Sequence, residues 1–146
     1  MNELDLVMPV QARMAYEESG VNPMEKDPEG FRKRCARRIE RGRTWVWVKD
    51  GRLVFKAEIV SETKDVIYLE GIWVNPEERR KGYALRCMAQ LGRTLLQRTH
   101  SISVLVNEQN QNALKFYRKA GFKLRGSNDT IFLKPESFPV QGVPVC

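Results

Sequence analysis

Apolar residues along this chain follow two rhythms, and the switches between them mark out its elements. Residues 4–19 keep helical spacing and meet a stop at Gly20. Asp27 or Pro28 opens a second helix running to about Gly42, with Phe31, Cys35 and Ile39 on its apolar side. Residues 44–48 and 52–60 are rich in Trp, Val, Phe and Ile, and Asp50-Gly51 between them suits a type I′ turn, so the pair reads as a hairpin. Residues 68–74 form a short run of Ile, Trp, Val and Tyr that reads as a buried strand. Ala84, Met88, Leu91 and Leu95 then return at helical spacing, with Arg86, Gln90, Arg93 and Gln97 on the other face, so a helix starts near Gly82. Ile102, Val104 and Val106 alternate as in a strand. Ala113, Phe116, Tyr117 and Ala120 make a helical stripe, closed by Gly121 where a left-handed residue is wanted. Short strands are expected at residues 122–124 and 130–133.

The order is therefore helix, helix, three strands, helix, strand, helix and short strands, with no internal repeat, linker or low-complexity tract. At 146 residues the chain is long enough for one hydrophobic core. Cys35, Cys87 and Cys146 are an odd number without paired spacing, and His100 is the only histidine. A disulfide framework and a zinc site are both unsupported, no metal site is expected, and Cys35 and Cys87 read as small core residues rather than nucleophiles. No apolar run approaches the roughly 18 residues of a membrane span, and the acidic start at Glu3 and Asp5 lacks the layout of a secretory signal, which makes the cytoplasm the expected location.

Lysine and arginine outnumber acidic residues 25 to 18. Part of that excess lies in the turn between the strand at 68–74 and the helix from Gly82, through Arg79, Arg80 and Lys81. Free N–H groups at the helix start, the positive end of its dipole and these cations together make an anion site. No Gly-Lys-Ser/Thr ends the turn and no Rossmann spacing of three glycines occurs, so another phosphate ligand is implied. A second cluster, Arg32, Lys33, Arg34, Arg37, Arg38, Arg41 and Arg43, lies on the second helix and just beyond it. It reads as a solvated face, with an acidic partner, nucleic acid included, as the alternative.

The sequence Arg79-x-x-Gly82-x-Ala84, reached through Val74-x-Pro76, resembles the acetyl-CoA signature of the GNAT superfamily of N-acetyltransferases. The order Asn110-x-x-Ala113-x-x-x-Tyr117-x-x-x-Gly121-Phe122 is similar to the second GNAT signature, at the expected distance after the first. The resemblance implies an α/β (α+β) acyltransferase fold, a mixed and mostly antiparallel sheet flanked by helices, over residues 1–134. Family members usually begin with a strand, and residues 4–8 are too short and too close to Pro9 for that role, which leaves the first strand open. The proline-rich apolar tail at 135–146 is expected to pack on its own domain or on a second subunit, so a homodimer is one expectation.

What the resemblance implies about the site can be mapped residue by residue. Acetyl-CoA is the implied cosubstrate, its pyrophosphate meeting the backbone of Arg79, Arg80, Lys81, Gly82, Tyr83 and Ala84. Its pantetheine arm would run along Ile72, Trp73 and Val74 as an added strand, with Asn110 touching the same arm. Tyr117 occupies the position of the general acid that protonates the leaving thiolate; a plain core tyrosine is the other reading. Glu70 is the candidate general base, with Glu58 in reserve and a pairing to Lys56 as the alternative role for Glu70. The implied reaction is direct transfer of an acetyl group to a primary amine. A noncatalytic acyl-CoA-binding module and acylation of an RNA-borne amine are the competing readings, and the acceptor and the acyl length stay open.

Overall fold

In a computed structural model, residues 2–129 are described, and they form a four-stranded sheet with helices on both faces. Helix α1 (Glu3–Ser19) starts on Asn2, whose side chain accepts from the Leu4 N–H, and ends at Gly20 with φ +73°. It takes up residues 4–8, so no strand precedes it among the described residues. A one-turn helix α2 (Pro23–Lys26), capped by Asn22, leads to α3 (Pro28–Glu40), capped by Asp27. Sequence periodicity overlooks α2 because four residues do not complete a recognisable repeat.

Strands β1 (Thr44–Lys49) and β2 (Arg52–Glu62) form the expected hairpin. Asp50 and Gly51 both have positive φ, as a type I′ turn demands. β3 (Val66–Val74) pairs antiparallel with β2, and β4 (Ser101–Val104) pairs parallel with β3, so the order is β1-β2-β3-β4. Between β3 and β4 a short 3₁₀ turn (Pro76–Glu78) and helix α4 (Tyr83–Leu95) make the crossover. Helix α5 (Gln111–Lys119) follows β4.

Two cores hold these layers. Phe55, Ala57, Ile59, Ile67 and Leu69 from the sheet meet Met88, Leu91 and Leu95 of α4, and Phe116, Tyr117 and Phe122 pack onto the same cluster. Leu4 and Ala12 of α1 with Phe31 and Cys35 of α3 form the second. Among the described residues the strand expected at 122–124 has no pairing partner, and its expected neighbour at 130–133 lies outside them. A strand exists only through a ladder partner, and no described segment pairs with this one; Phe122 instead closes α5, its N–H donating to the Tyr117 carbonyl. Residues 130–133 and the tail at 135–146 lie outside the described residues.

The register carries two irregularities that matter for function. Lys56 lies opposite Trp73 and Glu58 opposite Glu70, so three steps on β3 answer two on β2, and Gly71, at φ +61°, takes up the extra residue. This bulge explains why Ile67 and Leu69 share a face with Ile72 and Val74, three residues on, in defiance of strict alternation. The second irregularity lies between Ile59 and Ser61.

Candidate active site

β3 and β4 stay paired only from Val66↔Ser101 to Leu69↔Val104. Beyond that point β3 runs on through Glu70 to Val74, while β4 has ended. Among the described residues nothing on the β4 side pairs with this stretch, so a row of backbone donors and acceptors faces a gap in the sheet. Ile72 and Val74 pack on the α4 core, while Trp73 sits across from Lys56.

The gap leads to the basic turn. Asn75 supports the turn by donating to the Leu53 carbonyl and accepting from the Glu77 N–H. Arg80 and Gly82 both adopt left-handed φ, +64° and +77°. Gly82 caps α4 without a side-chain bond, so the first N–H groups of the helix stay free of an internal cap. A Cβ built on Gly82 meets no protein atom within 4 Å. The space against the backbone is open.

The three cations of the turn are not equivalent. Lys81 is bound to Glu78 at 2.8 Å, and Arg52 reaches both Glu77 and Glu78, at 2.6 and 3.3 Å. The Glu78 bond holds the Lys81 ammonium above its usual range, and that lysine lowers Glu78 in turn. Arg79 and Arg80 are exposed and have no carboxylate partner among the described residues, so they carry the unspent charge. Tyr83 stands edge-on to Trp47, centroids 4.9 Å apart, with the Lys49 ammonium 5.3 Å from its ring. Ala84 is half-buried in the first turn of α4.

Tyr117 packs on the α4 core between Phe116 and Phe122, with ring centroids at 5.2 and 5.5 Å. Burial alone pushes its phenol up to about 12, which keeps the hydroxyl protonated at neutral pH. Asn110 caps α5, its side-chain oxygen accepting from the Ala113 N–H at 3.1 Å, and its amide N–H groups remain available to a ligand.

The two glutamates differ sharply. Glu70 is exposed and accepts from the Tyr68 hydroxyl at 2.5 Å. Burial, with that carboxylate beside it, holds the Tyr68 phenol well above its ordinary range. Glu58 is buried, 2.8 Å from Arg38 of α3 and 3.8 Å from Lys56. Lys56 is itself fully buried and donates to the Gly71 carbonyl at 3.0 Å; burial depresses its ammonium. The sequence-level pairing of Lys56 with Glu70 is therefore replaced by one with Glu58. Tyr68 and the Arg38–Glu58 pair are the parts of this region that sequence reasoning missed. A tyrosine two residues before Glu70 on one strand face was the available signal for the first, whereas no local pattern announces a pair 20 residues apart.

Among the described residues, no helix is long and apolar enough to cross a membrane, and no three His, Cys, Asp or Glu residues gather as a metal site. Several known proteins share this fold. A crystal structure of a probable acetyltransferase matches with a TM-score of 0.73 at 22% identity, over 90% of this chain and 92% of that one. The structure of AAC(6')-Iy in complex with the bisubstrate analogue CoA-S-monomethyl-acetylneamine matches with a TM-score of 0.61 at 18% identity, over 92% and 93%. At such identities the likeness is one of fold. The UPF0039 protein of Schizosaccharomyces pombe is 31% identical over 74 residues, 51% of this chain, and the match spans about half the length of that curated relative. The model of the acetyltransferase (GNAT) family matches residues 11–122, and the chain belongs to that family.

Proposed function

We propose that this protein is an N-acetyltransferase that takes the acetyl group from acetyl-CoA and delivers it to a primary amine. The observation that carries this reading is the opening between β3 and β4, which leads from Glu70 to the free N–H groups of α4. The pantetheine arm fills the opening by bonding to the backbone of Ile72, Trp73 and Val74 as an added strand. The pyrophosphate meets the backbone from Arg79 to Ala84, with Arg79 and Arg80 supplying charge, and the Asn110 amide donates to the arm. One helix-dipole contact is worth about 0.3–1 kcal/mol, far below the roughly 8 kcal/mol of micromolar binding, so the strand-like contacts carry most of the affinity.

Transfer then runs without a covalent enzyme intermediate. Glu70 takes a proton from the incoming ammonium, directly or through water, and the neutral nitrogen attacks the thioester carbon. The C–N bond forms, the C–S bond breaks, the leaving thiolate takes the Tyr117 proton, and the surplus proton on the new amide nitrogen passes through water to restore the Tyr117 phenol. Glu70 suits the base because its carboxylate is exposed, whereas Glu58 is engaged by Arg38 and Lys56. Titration calorimetry of acetyl-CoA tests the cofactor half, with saturable micromolar binding expected. Gly82→Val should impair it, since the left-handed φ disfavours a branched residue and its side chain would fill the open space through which the ligand reaches the backbone. Unchanged affinity in a folded Gly82→Val protein would remove the phosphate-turn assignment.

A further inference from the structure

On the α3 face of the sheet, α3 and the far end of β2 border a cleft of about 250 Å³, lined by Arg34, Arg37, Arg38, Arg41, Arg43 and Glu58. Four of these arginines fall at i, i+3, i+4 and i+7 of one helix face, where like charges repel. Only two have a carboxylate: Arg34 binds Asp27 at 3.2 Å and Arg38 binds Glu58 at 2.8 Å. Arg43 donates to the Val60 carbonyl, which leaves its charge unanswered, and Arg37 and Arg41 have no acidic partner among the described residues. Glu58, the one carboxylate in the cleft, is already compensated by Arg38 and by Lys56 behind it. Basic residues at the C-terminal end of α3 complement its dipole, but that does not account for Arg43, which comes from beyond the helix and faces the same space. The cleft is thus a solvent-open, arginine-rich recess in which Arg37, Arg41 and Arg43 have no carboxylate partner among the described residues.

Its position sets it apart from the phosphate turn. Val54, which accepts from the Asn75 N–H beside that turn, and Val60 in the cleft are six residues apart on β2, about 20 Å along a strand. The cleft is instead close to the reacting end of the gap. Glu58 in its wall lies directly across from Glu70, and Glu70 is the first β3 residue past the end of β4 pairing. From cleft to gap is about two strand spacings, or about 10 Å.

We infer that this cleft is the acceptor's anchor: an oxyanion site that holds a phosphate or carboxylate group of a small amine and sets its nitrogen about 10 Å away beside Glu70. The inference rests on the transferase reading above for its acceptor role, though not for the anion site itself. The cleft is below the roughly 300 Å³ of a drug-sized pocket, which fits one oxyanion group and favours a small acceptor over a nucleic-acid chain.

The test begins with protein saturated with coenzyme A, so that the phosphate turn is occupied, and titrates in pyrophosphate by calorimetry. Saturable binding is expected, weakened about tenfold or more in Arg37→Gln/Arg41→Gln, with thermal midpoint and coenzyme A affinity unchanged. Steady-state kinetics then compare ω-aminoalkyl phosphates and ω-amino acids with amino alcohols of equal length. KM should be about tenfold or more lower for the anionic acceptors, and that advantage should vanish in the double variant while kcat holds. Equal KM values, or acetylation of amines without any pyrophosphate binding, would overturn the oxyanion site and leave the transferase standing. Pyrophosphate binding lost in the variant, with no amine acetylated, would sink the transferase reading and leave the site standing. Selectivity seen only with amine-bearing RNA oligonucleotides would overturn the small-acceptor assignment.

Discussion

At the scale of single residues, Tyr117 separates chemistry from packing most cleanly. Tyr117→Phe keeps the ring between Phe116 and Phe122 and deletes only the hydroxyl. Turnover should fall about 10 to 1000-fold, with cofactor affinity and thermal midpoint nearly unchanged. Loss of stability with turnover per folded molecule intact would make it a structural residue. The same phenol gives a pH signature. Its folded value of about 12 exceeds the ordinary 10, so its stabilising contribution is complete below pH 10 and is lost as pH rises from 10 to 12. Alkaline unfolding curves should therefore show a shallower decline in that window for Tyr117→Phe than for the parent protein. A decline of equal slope in both proteins would show that other groups dominate there. Lys56 acts in the opposite sense: its depressed value means that the charged form costs stability, a cost relieved as pH rises through its folded value toward 10.5.

Among the elements, the bulge in β3 makes the sharpest prediction. A Cβ on Gly71 would stand 2.9 Å from the Lys56 Nζ and 3.3 Å from a Glu58 carboxylate oxygen, at a φ that side chains avoid. Gly71→Ala should cost about 1–2 kcal/mol from the backbone alone, measurable as a lower urea midpoint, and should loosen the Lys56 contact to the Gly71 carbonyl. Wild-type stability would mean that the bulge relaxes freely. Asn110→Ala should cost about 1 kcal/mol through the lost α5 cap, with a larger loss of cofactor affinity if its amide also holds the pantetheine arm. These elements differ in how far the sequence announces them. Gly20, Asp50-Gly51 and Asn110 act on their immediate neighbours, so composition alone marks the ends of α1, the hairpin turn and the start of α5. The Gly71 bulge and the Arg38–Glu58 pair arise from which strand and helix meet, information that no local window contains. For the same reason Glu70 and Glu58 are indistinguishable in the sequence and unlike in the fold. The proposed cofactor half of the site rests on contiguous motifs that a local window can read; the proposed acceptor half would be assembled from α3 and β2, which no local window brings together.

For the whole molecule, the net charge of +7 is unevenly spread, with Arg79 and Arg80 at one end of the sheet and the arginine cleft beside α3. Any association with RNA through this excess should fall steeply with salt, each neutralised phosphate adding about −0.9 to the log–log slope on duplexes. We expect it to vanish near physiological salt, as filter binding would reveal; tight binding that survives there would argue for a nucleic-acid-borne acceptor. The length of β3 that has no partner on its β4 side among the described residues has a different consequence. A sheet interrupted from within offers the same bare ladder groups as an outer edge strand, and such groups recruit other chains. A cofactor that occupies them acts as a missing strand of the fold, and at a hundred times its dissociation constant it adds about 2.7 kcal/mol to the folded state. Acetyl-CoA and free coenzyme A carry the same arm, so their combined working concentration would then govern how long the protein survives proteolysis and self-association, making its lifetime a gauge of the coenzyme A pool.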